Sequence, residues 1–157
     1  MAVLNIILPI VTLLLGAGVT YWVDARRRAD ERRSNRLEDL RGQRATAYRQ
    51  FIRSAHNSAH LVGRTAPGCP EPLTENVEGV RALIDSEVAR DYYEMYIFAE
   101  PATLGAAQAV RQALYDFREA VQSGAHYRSA SYRDPLRVYQ TRRTEFLELA
   151  RAEVVST

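Results

Sequence analysis

The sequence predicts an all-α protein, an N-terminal transmembrane helix followed by an up-down helical bundle. Three observations predict it. Residues 2–23 carry no charge, apolar residues beyond them recur at three- and four-residue spacings, and chain breakers gather at a few points. No stretch shows the strict alternation of a strand. The expected organisation is a transmembrane anchor at 1–23, an arginine-rich juxtamembrane neck at 24–36 and a cytoplasmic helical bundle at 37–157.

The anchor reads AVLNIILPIVTLLLGAGVTYWV from Ala2 to Val23. At a helical rise it spans roughly 33 Å, enough for the hydrocarbon of a bilayer. No basic residue precedes it, as one would in a signal peptide, so an uncleaved anchor is expected. Arg26, Arg27, Arg28, Arg32, Arg33 and Arg36 follow it, with Asp24, Asp30 and Glu31 interspersed. Positive charge stays on the cytoplasmic side, which puts the N-terminus outside and the domain inside. Tyr21 and Trp22 occupy an interfacial aromatic position, and the neck arginines suit anionic lipid of the inner leaflet. Thr12, Gly16 and Thr20 share one face at four-residue spacing, and small residues there allow two spans to approach as a homo-oligomer.

From about Ser34 to Leu61 or Val62 a helical stripe sets in, with continuity into the span left open by the absence of a breaker: Leu37, Leu40, Arg44, Tyr48, Phe51, Ala55 and Leu61/Val62. Arg44 on that stripe calls for a place at its edge or an ionic partner. Gly63–Thr74 holds three of the chain's six prolines and is a loop, with Thr74 as a cap for the next helix. The second helix carries Val77, Val80, Ile84, Val88, Tyr92, Met95 and Ala99, with Leu83 and Phe98 widening the stripe, and Pro101 stops it. Proline suits a first helical position, so a third helix starts there. Its seam is Thr103, Ala107, Val110, Leu114, Phe117 and Val121, and Gly124 ends it. After a loop from Ala125 to Arg133, Asp134 caps and Pro135 opens a fourth helix with Leu136, Tyr139, Arg143, Phe146, Leu147, Ala150 and Val154 inward. Four helices with coiled-coil-like seams suggest a four-helix bundle. The alternative is three helices on a stalk formed by residues 24–62.

Composition narrows the chemistry. The net charge is +2, and every basic side chain apart from the three histidines is arginine. Without lysine there is no phosphate-binding loop lysine, no Schiff base and no Ser-x-x-Lys nucleophile. Cys69 is the single cysteine, so no intrachain disulfide forms, in keeping with a reducing compartment. No Gly-x-Ser-x-Gly or Gly-x-Gly-x-x-Gly pattern occurs.

Four groups of residues remain as candidates. His56 and His60 lie one helical turn apart, a spacing at which two imidazoles can share a metal; Cys69 or His126 would have to complete the site. The residue after His56 is Asn57, where a zinc protease has glutamate. The carboxylates Glu38/Asp39, Asp85/Glu87 and Glu145/Glu148 read as solvated faces. Tyr93 and Tyr96, beside Tyr92 and Met95, suit a partner surface. The segment 127–143 interleaves Arg128, Arg133, Arg137, Arg142 and Arg143 with Tyr127, Tyr132 and Tyr139, a pattern shared with nucleic-acid binders. Membrane contact ranks above nucleic acid there, and a solvated helix above both.

Several features in order carry a resemblance: the span, the arginine neck, Tyr48-x-x-Phe51, a hairpin turning at Ala99-Glu100-Pro101, and Arg143-x-Glu-Phe-Leu-Glu-Leu-Ala-Arg151. The chain resembles the short single-pass, helical-bundle proteins of unknown function found in high-GC actinobacteria and their phages. The resemblance is architectural and implies no functional residues. It implies superinfection exclusion at the membrane as a role if the gene is a phage's. The sequence therefore leads to a non-catalytic, membrane-tethered cytoplasmic interaction module that needs no cofactor and engages an unidentified protein partner. The alternatives are a metal-dependent activity at His56 and His60, or nucleic-acid binding through 127–143.

Overall fold

In the computed structural model, the backbone is described for residues 2–73 and 77–156, and side chains for 26–27, 35–73, 82 and 85–156. Among these residues there are four α-helices and no strand: α1 (Ala2–Arg64), α2 (Val77–Tyr96), α3 (Pro101–Gln122) and α4 (Ala130–Ser156). The chain divides into two compact units, Met1–Asp39 and Leu40–Thr157. The first is helical throughout its described part, and Arg26 and Arg27 are exposed. The side chains of Thr12, Gly16, Thr20, Tyr21, Trp22, Arg28, Arg32 and Arg33 lie outside the described residues, as does the uncharged run that contains most of them. Among the described residues no helix is long and apolar enough to cross a membrane.

The second unit is a helical bundle, and its contacts fix the topology. Tyr48, Phe51 and His56 of α1 meet Glu153, Phe146 and Arg143 of α4 in that order. Those two helices therefore run antiparallel. Phe117, near the end of α3, packs on Tyr132 at the start of α4, while Glu153 near the end of α4 reaches Glu100 just before α3. Asp85 pairs with Arg118 and Tyr92 with Gln108, so α2 and α3 are antiparallel too. Phe51 also touches Tyr92 of α2. The result is an up-down arrangement of four helices in which each has two neighbours.

Two apolar clusters fill it. The larger centres on Phe51, Met95, Val110, Tyr139 and Phe146; the smaller joins Val62, Phe117, Val121 and Tyr132. Every residue expected on the α3 seam is buried. So are Tyr48, Phe51, Ala55 and Val62 of α1, which makes this stretch part of the bundle rather than a stalk. Val77, Val80, Leu83, Ile84 and the cap Thr74 lie outside the described residues.

Four expectations need correction. Leu40 is 42% exposed, not buried. Tyr48 is level with Glu153, and α4 continues only to Ser156, about 5 Å further, whereas Leu40 lies about 12 Å back along α1. Within the described residues α4 does not reach Leu40. Leu37 is exposed as well. Helix α2 stops at Tyr96, short of Ala99, because the Met95 carbonyl accepts both the Phe98 and Ala99 N–H groups and closes the turn. Helix α4 begins at Ala130, ahead of Asp134. There Ser129 is the cap, its hydroxyl accepting the Tyr132 N–H and its carbonyl the Arg133 N–H. Pro135 sits inside the helix at the loss of one backbone bond, and burial of Tyr132 against Phe117 offsets that loss.

The α3 terminus behaves as expected. Gly124 takes a positive φ of 91°, and the Ala125 and Gly124 N–H groups return to the Ala120 and Val121 carbonyls.

Substitutions at the two ends of the stripe separate core from overhang. Phe51→Ala is expected to cost about 3–5 kcal/mol and Leu40→Ala less than about 0.5 kcal/mol, measured by denaturant unfolding of the detergent-solubilised chain. Equal losses would overturn the assignment of the bundle's end.

Candidate functional site

Three places in the bundle concentrate polar or exposed groups. The first is a buried carboxylate. Glu153 is almost wholly buried on α4, and its Oε1 accepts the Tyr48 hydroxyl at 2.8 Å and the Glu100 backbone N–H at 3.1 Å. Arg44 lies 3.6 Å away, the ionic partner its place on the stripe called for. This carboxylate therefore ties α1, the α2–α3 turn and α4 together at one end of the bundle. Sequence reasoning passed over Glu153, and the signal available was its register. It lies seven residues after Phe146 and three after Ala150, on the stripe of α4, opposite an arginine on the stripe of α1.

The second place is a cleft of about 410 Å³ between α1, α4 and the loops that follow α1 and α3. His56 and His60 line it from α1, Tyr139, Gln140 and Arg143 from α4. Close approach of the two helices depends on Gly63, where a β-carbon would stand 2.8 Å from the Tyr132 hydroxyl. Arg143 donates to Nδ1 of His56 at 3.2 Å, and a guanidinium can only donate, so that ring nitrogen is unprotonated in this contact. Tyr139 is buried, and its hydroxyl makes no well-formed hydrogen bond, though the Arg143 guanidinium acts on it.

The histidine pair does share a face, as its spacing requires, and both rings are exposed. Cys69 reaches the same cleft, whereas His126 is exposed on the α3–α4 loop and lies against Gly68. Among the described residues no three His, Cys, Asp or Glu side chains are placed to hold a metal ion.

The basic and aromatic residues of 127–143 are drawn apart. Tyr132 and Tyr139 face the core, and Tyr127 packs edge-on against Tyr132 with ring centroids 5.2 Å apart. Arg128 lies over Tyr127, Arg137 pairs with Asp134 at 3.1 Å and Arg142 with Glu145 at 2.8 Å. Stacking a base on these tyrosines would require opening the core.

The third place is the end of α2. Tyr92 and Met95 are core, Tyr92 under the Arg111 guanidinium. Tyr93, Tyr96 and Ile97 are 64%, 61% and 76% exposed. Ile97 had drawn no attention in the sequence, because it reads as part of an apolar run before Pro101. Closure of α2 at Tyr96 turns it outward.

Burial raises the hydroxyl pKa of the inner tyrosines. Tyr139 is pushed up to about 12 by loss of solvent, with the Arg143 charge pulling the other way. Tyr48 is raised further, by burial first and then by Glu153. Both lie above the ordinary value of 10.0, so the fold favours the neutral phenols. Their contribution is fully present below about pH 10 and is lost as pH rises toward and past 12.

In an alkaline titration followed by phenolate absorbance, these two tyrosines should ionise only together with unfolding. Tyr48→Phe and Tyr139→Phe should each make stability fall less steeply above pH 10. A phenolate signal from the still-folded chain that Tyr48→Phe or Tyr139→Phe removes would contradict the burial. For the carboxylate, Glu153→Ala should cost about 3 kcal/mol, since it strands the Tyr48 hydroxyl and the Glu100 N–H. A double-mutant cycle with Tyr48→Phe that showed strict additivity would deny the coupling.

No protein-family model, curated protein or solved structure matches this chain.

Proposed function

We propose that the chain is a membrane-tethered cytoplasmic interaction module, a scaffold, sensor or regulator without catalytic chemistry. The observation that carries the reading is the pairing of an uncharged 2–23 run, ended by an arginine-rich neck, with an exposed Tyr93–Tyr96–Ile97 patch on the bundle. Tyrosine and large aliphatic side chains are the residues that protein partners cover, and three of them side by side make an anchor for one. The neck sets the orientation, N-terminus outside and bundle in the cytoplasm, and holds anionic lipid. Thr12, Gly16 and Thr20 give the span a face for pairing with a second copy. The resemblance to single-pass proteins of actinobacteria and their phages supports the same architecture, and superinfection exclusion is the role it suggests.

Two measurements test this. A C-terminal reporter active only outside the cytoplasm should stay silent; activity would reverse the orientation. In living cells, a photo-crosslinking side chain at Tyr93 or Tyr96 should yield a discrete adduct that Ile97→Asp abolishes. The same probe at exposed Arg142 should yield none. Equal labelling at both places, or no discrete adduct, would remove the patch as a partner surface.

A further inference from the structure

The cleft between α1 and α4 holds two polar groups whose hydrogen bonding the fold leaves incomplete. The Tyr139 hydroxyl and the Nε–H of Arg143 are shut off from bulk solvent, and neither makes a well-formed hydrogen bond in the protein, although the two residues act on each other. The guanidinium can only donate, whereas the phenol both donates and accepts. A buried donor left unmade costs about 1–3 kcal/mol, so an added acceptor has something to gain at Arg143. Arg143 donates a further N–H to His56, a neutral acceptor, and no carboxylate is bonded to it. Arg64, His60 and Gln140 stand on the same lining. Arg64 has its Nε engaged by the Glu71 carbonyl at 3.0 Å, which fixes its charge at the cleft's edge. Two guanidiniums, two imidazoles, an amide and three phenols thus surround the space, against the single acidic side chain of Glu71.

We propose that this cleft binds a phosphate monoester. Such a group carries about −1.5 to −2 charge at neutral pH and three strong acceptor oxygens, matching two arginines and several donors better than the single charge of a carboxylate. Arginine meets phosphate through paired N–H groups, and reorientation of the Arg143 side chain away from His56 presents its Nε–H, with the Tyr139 hydroxyl behind it, to one oxyanion. Imidazole at His60 and amide at Gln140 supply rim contacts. The volume suits the phosphate together with a small attached group. This site is separate from the α2 patch and does not depend on the anchor. The phosphate can belong to a free small molecule or to a phospholipid headgroup, and one design separates them.

The full-length chain is placed in nanodiscs of neutral lipid and titrated with glycerol 3-phosphate by calorimetry, with acetate and sulfate at matched ionic strength as controls. A second preparation contains phosphatidic acid, and the readout there is the shift in thermal midpoint. Saturable glycerol 3-phosphate binding in neutral nanodiscs assigns a free ligand. A midpoint shift with phosphatidic acid, in the absence of soluble binding, assigns a headgroup. In either case Arg143→Gln should weaken the response about tenfold or more, the worth of a charge-assisted contact. Tyr139→Phe removes a hydroxyl that makes no well-formed hydrogen bond, so it should fold about as stably as the parent and still weaken the response several-fold, about the worth of one hydrogen bond. That second variant keeps the test valid if Arg143→Gln fails to fold. No saturable response in either preparation, or a response that Tyr139→Phe leaves unchanged, overturns the proposal. Acetate binding as well as glycerol 3-phosphate would overturn the choice of phosphate.

Discussion

Phe51 and Phe146 meet edge to face with ring centroids 5.3 Å apart, and both are completely buried. Tyr48 adds a second perpendicular contact to Phe146 at 5.9 Å, and Tyr92 joins from α2. These four rings bring together three of the four helices of the Leu40–Thr157 unit, and α3 closes the fourth side with Val110 and Leu114. Each fully buried large side chain contributes about 1.5–3 kcal/mol, and edge-to-face pairing adds about 0.5–1.5 kcal/mol more. Helical stability in proteins comes mostly from packing of one apolar face, so the mutual register of these helices follows from this contact. Where α4 runs out beyond it, α1 continues with Leu40 uncovered.

The polar features follow the same register. Antiparallel packing of α1 on α4 through Phe51 and Phe146 carries Tyr48 to Glu153 at one end and His56 to Arg143 toward the other. At the first meeting a carboxylate accepts a phenol and a backbone N–H, with Arg44 close by. At the second, Tyr139 and Arg143 come together beside a cleft with no carboxylate bonded to the guanidinium. The same two helices therefore present an ionic tie at one end and an open cleft toward the other. A buried polar tie specifies how the helices meet, and an unmet donor beside an open space is where a ligand has something to gain.

The arginine-only basic composition bears on both. Arg44 and Arg143 bring planar donors to half-buried positions where an ammonium would be poorly solvated. Tyr48 and Tyr139, neutral well above their ordinary range, supply phenols rather than phenolates to these arginines. Elsewhere the cations are spread over ordinary surface pairs such as Arg137 with Asp134, which are worth little individually.

By itself the sequence determined the helices, the breaks between them and most of the inward faces. Each of these is a local matter of spacing, proline and glycine, and the α3 seam with its Gly124 terminus was readable residue by residue. Local chemistry misled where a competing cap lay nearby, so that Ser129 opens α4 in place of Asp134. Only the tertiary structure decided what those faces meet. That Leu40 is uncovered, that Glu153 is buried with Arg44 and that Ile97 turns outward depend on where the partner helix or turn ends. The tyrosines of 127–143 looked available for stacking, yet Tyr132 and Tyr139 are core because α4 is rolled to pack on Phe117 of α3 and Phe51 of α1. The candidate cleft was half legible: His56 and His60 announced one wall through their spacing on α1. The other wall, with Tyr139 and Arg143, lies more than seventy residues away, and periodicity within one helix carries no information about which face of another it will oppose.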